Sequence, residues 1–458
     1  MITSKYIKLI TAVMLSLSLA LCGFLVYSAD ASDTVRVTEY EKKMFGDNIV
    51  NIDIQANKND WQRLLVNAQE KEWISGDLTI DGQKFSTVGI RTKGNASLTQ
   101  VSESGGGRYS LQFKANKYIK GETFYGLDTF CINNLFDDAT YMKEYIAYDI
   151  MRYIGVPAPL TNYAKVTVNG EDYGFMLMLE RYEEAFLNRV YSTTAGQLYN
   201  VKKEKNGQGG SLLYIGDNVS LYTEIFNNAV FGKKSAKHEE RVVMAIKNLN
   251  AGTNLEDYFD VDEILRYFAA HTVVVNTNSY ATKQHQNYYV YERGKVITVL
   301  PWSYRLAFGG IIDEETMSAS EIVNLPIDTP VIGVSMDERP LLNKLLGVDK
   351  YREKYHEYLR EITDGYFESG RFKSVIAVLD AKINGYVKDD VSAFYSYEQY
   401  ESASAALSEL ALLRAASIKG QLDGIIPSTA NAQNADGSSL IDVSGFDFSA
   451  LCIAARQN

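Results

Sequence analysis

Four histidines, His238, His271, His285 and His356, are scattered along the chain, with no Cys-x-x-Cys or mixed Cys/His spacing beside them. A structural zinc site is therefore not supported. Neither His271 nor His285 has a carboxylate close in sequence to make it a convincing base. Charge and phosphate chemistry has better candidates. Lys93-Gly94-Asn95 leads into a loop holding Gly105-Gly106-Gly107; such a loop can cradle phosphate, although a flexible hairpin tip is the simpler reading of three glycines. Glu144 falls within helical spacing, Glu180 and Glu184 follow a strand pattern, and Asp313-Glu314-Glu315 forms an acidic run that reads first as solvated loop.

The elements that must position these groups change character along the chain. Apolar alternation predicts strands over 51–54, 77–85, 87–91, 109–114, 164–168 and 173–179, with hairpin turns at Asp81-Gly82 and Asn169-Gly170. Helical spacing covers 60–71, 141–154 and 183–190, the second stopping at Gly155 before Pro157 and Pro159. Residues 202–210 turn to Lys, Glu, Asn and Gly, the composition of a linker or lobe boundary. Helices then dominate, over 237–250, 262–276, 339–346, 350–363, 372–386 and 398–422, interrupted by a hairpin at 287–291 and 296–300. The expected organisation is α+β, with a β-rich lobe over 34–201, an α-rich lobe over 202–426, a flexible tail over 427–458, and a cleft between the lobes as the default site. The segments facing that cleft are the glycine loop, the Glu144 helix and the stretch 276–310.

The first 33 residues carry Lys5 and Lys8, an apolar run from Leu9 to Val26, and a small-residue end containing Ala29 and Ala31. That is an export signal, either cleaved or retained as a single membrane anchor. Leu21 precedes Cys22 where a lipoprotein would carry Gly or Ala, so lipidation is rejected. Beyond the signal only Cys131 and Cys452 remain, so no disulfide framework exists. The 458 residues are 46% hydrophobic and 22% charged, the balance of a folded protein and not of a multi-span membrane protein. A net charge of −11 argues against nucleic acid as partner.

Several motifs stand in a fixed order. They are Arg91-Thr-Lys93-Gly94-Asn95, Asn133-Asn134 with Tyr141-Met-Lys-Glu144, Gly155-Val-Pro157, and Asn169-Gly170-x-x-Tyr173-Gly174. Asn287-Tyr288-Tyr289 and Pro301-Trp302-x-x-x-Leu306-Ala307-Phe308-Gly309 follow. Together, from about residue 47 to 425, they resemble the CotH family of spore-coat-type atypical protein kinases. The resemblance implies a two-lobed, protein-kinase-like α+β fold, with ATP and Mg²⁺ as cofactors and transfer of the γ-phosphoryl group to Ser of secreted or coat proteins. Such transfer needs a Lys on the phosphates, a helix Glu holding it, a base for the hydroxyl and carboxylates for the metal. The resemblance assigns nucleotide contacts to Lys93, Glu144 and Asn287.

The same resemblance exposes departures. The catalytic Asp position is Asn278, before Ser279-Tyr280. The metal-binding Asp and its neighbour two residues on fall at Ser303 and Arg305. A strand Lys falls at Gln112, with Lys114 on the same strand face as a substitute, and the His before Asn287 is Gln286, with His285 displaced by one. Asn accepts no proton from a hydroxyl, and loss of a general base typically costs ~10²–10⁴ in rate. Ser is a poor ligand for Mg²⁺, and a permanent cation at residue 305 repels the metal or neutralises phosphate itself.

The leading expectation is an exported pseudokinase with weak or no phosphotransfer, acting as a binding or scaffold module on a protein partner at the cell surface or coat. The alternatives are an active Ser kinase with relocated metal ligands such as Asp313 or Glu315, and a nonenzymatic surface protein. The last would bind polysaccharide or protein through tyrosines such as Tyr395, Tyr397 and Tyr400.

Overall fold

Alternating apolar residues in the first half of the chain close into a barrel. The computed structural model describes residues 37–231, 235–310 and 317–451. The export signal, Asp313, Glu314, Glu315 and Cys452 therefore lie outside the described residues. The barrel strands are β1 (Val50–Ala56), β2 (Ile74–Ile80), β3 (Gln83–Thr92), β4 (Leu111–Lys114), β5 (Thr129–Asn133), β6 (Thr161–Val168) and β7 (Glu171–Glu180). Their order is β1-β2-β3-β4-β5-β7-β6, closed by a parallel pairing of β6 with β1. Closure removes the exposed edges that an open sheet would present.

Strand alternation divides the two faces. Ile52, Ile54, Val88, Ile90, Leu111, Phe113, Phe130, Ile132, Met176 and Met178 fill the barrel. Their sequence neighbours Arg91, Gln112, Cys131, Leu177 and Leu179 point the other way, because successive side chains in a strand alternate. Cys131, Leu177 and Leu179 belong to the large core shared with the helices. The predicted hairpins sit where expected: Asp81-Gly82 and Asn169-Gly170 have φ of 44° and 85° and of 51° and 87°. Positive φ at both turn positions suits the right-handed twist of the flanking strands.

The second sheet, β10-β9-β8, is built from β8 (Gln197–Val201), β9 (Tyr288–Arg293) and β10 (Val296–Pro301). The helix Val261–Val274 beside it has eleven buried residues, covered by β10 on one side and by helices on others. It packs on Asp349–Ile362 and on Lys143–Tyr153. Chain order and packing give a mixed α+β architecture with one barrel and one helical layer.

Several expectations are corrected. Residues 202–210, expected as a linker or lobe boundary, fold back over Glu224, and β8, at the end of the expected β-rich lobe of 34–201, pairs with β9. The loop between β3 and β4 contains a helix, Ala96–Glu103, held by buried Leu98 and Val101, so only the end of the loop is a glycine turn. The helix at 58–66 stops at Val66; a 3-10 turn follows and Lys71 is left-handed with φ 53°. The stretch expected to be a flexible tail is packed. Ala430–Ala435 is helical, the Gln433 amide donates to the Asn324 carbonyl at 2.9 Å, and Leu451 is buried. Tyr395 and Tyr400 lie in the core and form no surface patch. A buried ion pair, Arg108 to Asp390 at 2.8 Å, ties the barrel to the C-terminal helices, and the same carboxylate accepts from the Phe175 N–H at 3.0 Å.

Candidate functional site

A cavity of about 590 Å³ opens between the outer barrel face and the helical layer. Strand parity explains what reaches it. Arg91 and Lys93 share one face of β3 and its extension, Gln112 lies opposite Arg91 in register on β4, and Asn133 ends β5 on that same face. From the other side come Glu144, Asn278, Asn287, Ser303 and Arg305. Seven of the eight residues singled out in the sequence thus line one cavity. Lys114 does not: it is two residues beyond Gln112 and is paired with Glu183 at 3.2 Å.

Glu144 is the hub of the buried side. The Asn133 amide donates to its carboxylate at 2.6 Å, and Lys93 donates in turn to the Asn133 carbonyl oxygen, so the Lys–Glu link runs through an amide. The Tyr304 N–H donates to the other carboxylate oxygen at 3.0 Å, and the Tyr148 hydroxyl does so at 3.4 Å while accepting from the Ser303 N–H. Burial pushes the Glu144 carboxyl above its usual range, with Lys93 and these hydrogen bonds pulling it back. Asp138, in the turn before the helix Lys143–Tyr153 that carries Glu144, accepts from the Lys143 N–H at 2.9 Å and the Thr140 N–H at 3.0 Å.

The turn after β10 holds the residues at the implied metal position. Ser303 has a positive φ of 58°, and its carbonyl accepts from the Asn276 amide at 3.1 Å. Arg305 is ion-paired with Asp137. Burial lowers Arg305 to about 10, with Tyr395 opposing, so it stays a cation at neutral pH. At the implied base position the Asn278 carbonyl oxygen accepts from the Gln286 amide at 2.8 Å, and its backbone carbonyl accepts from Asn287 at 2.9 Å. Below it His271 joins Tyr304 and Ser279 at 2.8 and 3.1 Å, and burial lowers its pKa to about 4. His271 is a neutral buried support. His285, which lacked a carboxylate nearby in sequence, meets Glu224 at 3.3 Å in space.

Sequence reasoning missed Asp137, the one cavity carboxylate at the metal position. Its signal was the Asp137-Asp138 pair that lies between the quoted Asn133-Asn134 and Tyr141-Met-Lys-Glu144 motifs and was passed over. Arg91 and Asn133 stood in quoted motifs without a role, while Lys71, Arg181 and Lys202 had no signal before the chain was folded. Glu180 is spent on Arg189 at 2.5 Å, and Glu184 is exposed at the start of the helix Glu184–Tyr191; neither lines the cavity.

The cavity lining counts seven Lys or Arg against three carboxylates, Asp137, Asp138 and Glu144. The fit of ATP-bound Mg²⁺ can be judged from the donors. Asn278 and Ser303 are neutral, Arg305 is a cation, Asp137 is taken by Arg305, and Asp138 and Glu144 are satisfied by internal donors. Among the described residues no three His, Cys, Asp or Glu are grouped to hold a metal. A hard dication prefers charged oxygen, so this donor set does not fit it.

Fold and site together define an α+β protein with an electropositive cleft between a β-barrel and a helical layer. Residues 90–418, more than two thirds of the chain, match the CotH kinase protein family, and the chain belongs to that family. It is 22% identical over 308 residues to inner spore coat protein H of Bacillus subtilis (strain 168), covering 63% of this chain and 79% of that protein. A solved structure of the Shewanella oneidensis MR-1 toxin–antitoxin system HipA, HipB and its operator DNA complex aligns over 73% of both chains. Its TM-score is 0.33 and its identity 11%, too slight a likeness to carry an argument.

Proposed function

We propose that the chain is an exported CotH-family protein with a two-lobed kinase-like fold that has lost metal-dependent phosphotransfer. It serves as a binding or scaffold module for a protein partner at the cell or coat surface. The observation that carries the reading is the Arg305–Asp137 pair, which sets a cation at the implied metal position and occupies the carboxylate beside it. The Asn278–Gln286 hydrogen bond adds to it, since neither amide takes up a hydroxyl proton near neutral pH. Export rests on residues 1–33, which fit either a cleaved signal or a single retained anchor. The name of the spore-coat relative agrees with a coat or surface location.

A second reading, an active Ser kinase with a relocated ligand, draws on Asp137 itself, a cavity carboxylate that turning Arg305 aside would free for metal. One experiment separates the two. Transfer of the γ-phosphoryl group from ATP is measured with Mg²⁺ and with Mn²⁺, for the natural chain and for Asp137→Asn. The expected result is the same background in both. Turnover by the natural chain that Asp137→Asn abolishes would replace the pseudokinase reading with the active one.

A further inference from the structure

Three side chains on one wall of the cleft have the types and contacts that a covalent step needs. Lys93 continues β3, its N–H donating to the Ser110 carbonyl at 2.9 Å, and its side-chain nitrogen donates to the Asn133 side-chain carbonyl. Asn133 ends β5, and its amide N–H donates to the Glu144 carboxylate at 2.6 Å. Glu144 stands in the first turn of the helix Lys143–Tyr153 and is buried. An amine hydrogen-bonded to a carboxamide oxygen is beside the carbon it would attack, and a carboxyl group on the amide nitrogen is beside the group that would leave.

The surroundings leave these three to one another. Of the other two carboxylates lining the cavity, Asp137 is paired with Arg305, and Asp138 accepts from the Thr140 and Lys143 N–H groups. The Trp302 ring lies 5.9 Å from the Lys93 Nζ, and the Tyr148 hydroxyl lies 3.4 Å from the Glu144 carboxylate, so aromatic residues flank the group. Burial raises the Glu144 carboxyl, with Lys93 opposing, toward the acid form that a proton donor requires.

The geometry points to an intramolecular isopeptide bond between Lys93 and Asn133, formed with Glu144 as the catalytic residue. The step starts from neutral amine and protonated acid, the uncharged tautomer of an ammonium–carboxylate pair, which a desolvated site favours. The Nζ lone pair bonds to the Asn133 Cγ, and the carbonyl π pair moves onto Oδ1. Glu144 gives its proton to Nδ2 and takes one from Nζ. The carbonyl re-forms, the Cγ–Nδ2 bond breaks with its electron pair on nitrogen, and ammonia leaves; no oxidant, metal or co-reactant enters. The bond would join β3 to β5, which are separated in the barrel by β4, and close a loop holding the helix Ala96–Glu103. No disulfide does this among the described residues, whose one cysteine, Cys131, is free. The bond would also occupy the lysine to which the family resemblance assigns nucleotide. The inference does not rest on the loss of phosphotransfer, because the mass of the chain reads the bond whether or not ATP is used.

The test is mass spectrometry of the full chain, intact and after denaturing digestion, for the natural protein, Lys93→Arg and Glu144→Gln. The natural chain is expected to weigh about 17 Da less than its own processed sequence, the mass of one ammonia, and to yield one cross-linked peptide containing residues 93 and 133. Lys93→Arg should abolish both. Glu144→Gln keeps an oxygen that accepts from the Asn133 amide but gives up the acid, and should lower the linked fraction at a fixed time after refolding by about tenfold or more. Separate, unlinked peptides for residues 93 and 133 in the natural chain overturn the bond, as does a mass loss that Lys93→Arg leaves in place. An unchanged linked fraction in folded Glu144→Gln overturns the role of Glu144; if that variant fails to fold, the cross-linked peptide of the natural chain decides for or against the bond alone.

Discussion

The Arg305–Asp137 pair offers the sharpest test, because its strength can be measured without knowing any ligand. The two side chains are 22% and 14% exposed, so the pair is shielded but not dry. Two unit charges about 4 Å apart attract by ~4 kcal/mol at an effective dielectric of about 20. Desolvation of both groups offsets much of that, leaving an expected coupling of about 1–3 kcal/mol. The assay is a double-mutant cycle in urea, with Arg305→Asn, Asp137→Asn and the double variant, read from the free energy of unfolding. Arg305→Asn leaves a largely shielded Asp137 unpaired, and is expected to cost about 2–3 kcal/mol. The double variant should recover part of that loss, since two neutral amides need no counter-charge. Salt should reduce the coupling only weakly, because a shielded pair is screened less than a surface one. A coupling below about 0.5 kcal/mol, the level of an exposed pair, would refute the claim that Asp137 is committed to Arg305.

Other perturbations report on the scaffold around it. Glu144→Ala removes the acceptor of three donors, Asn133, Tyr304 and Tyr148, and should cost about 3 kcal/mol or more in the same urea assay. Buried His271, held near pKa 4, takes up its proton in the unfolded chain first, so stability is complete above pH 6.5 and falls as the pH drops toward 4. The loss approaches ~3 kcal/mol at pH 4, and His271→Gln should flatten that slope in melts at stepped pH. Gln112→Lys takes the acceptor from Arg91 and sets a like charge against it, so stability should fall by about 1–2 kcal/mol, where a restored kinase lysine would do no such harm. A chain ending at residue 426 loses the packing of Ile441, Val443, Phe446, Phe448 and Leu451, and should unfold at least ~3 kcal/mol earlier than the full chain.

Local rules carried the reading where contacts are local. The Asp81-Gly82 and Asn169-Gly170 turns were legible because both need positive φ, and the helix after Tyr141 was legible because its apolar residues repeat at helical spacing and Gly155 stops it. The tail was misread for the complementary reason. Its Ser, Ala, Asn and Asp composition carries no periodic pattern, and what holds it is distant: Asn324 accepts from the Gln433 amide and, through its own side chain, from the Ile441 N–H. Tyr395 and Tyr400 were likewise taken for surface residues by type, yet each turns inward, Tyr395 to the Phe136 carbonyl and Tyr400 to Asp380 at 2.7 Å. Residue type alone does not say which end of a tyrosine faces water.

Within the site, motif order located the cavity, but charge balance emerged only from the fold. Read along the chain, Arg305 is a lone cation at a metal position and Gln112 a lost lysine. In space each change is met by a neighbour. Asp137, far away in sequence, neutralises Arg305, while Arg91 reaches from β3 to the Gln112 carbonyl oxygen and leaves a cation beside that position. The cleft therefore keeps its attraction for anions while its carboxylates are turned to internal partners. Those two properties separate binding from catalysis: phosphate attraction needs only fixed positive charge, whereas transfer also needs a base and free acidic oxygens on a metal. A cleft with the first set and without the second attracts anions but lacks the groups that phosphoryl transfer needs.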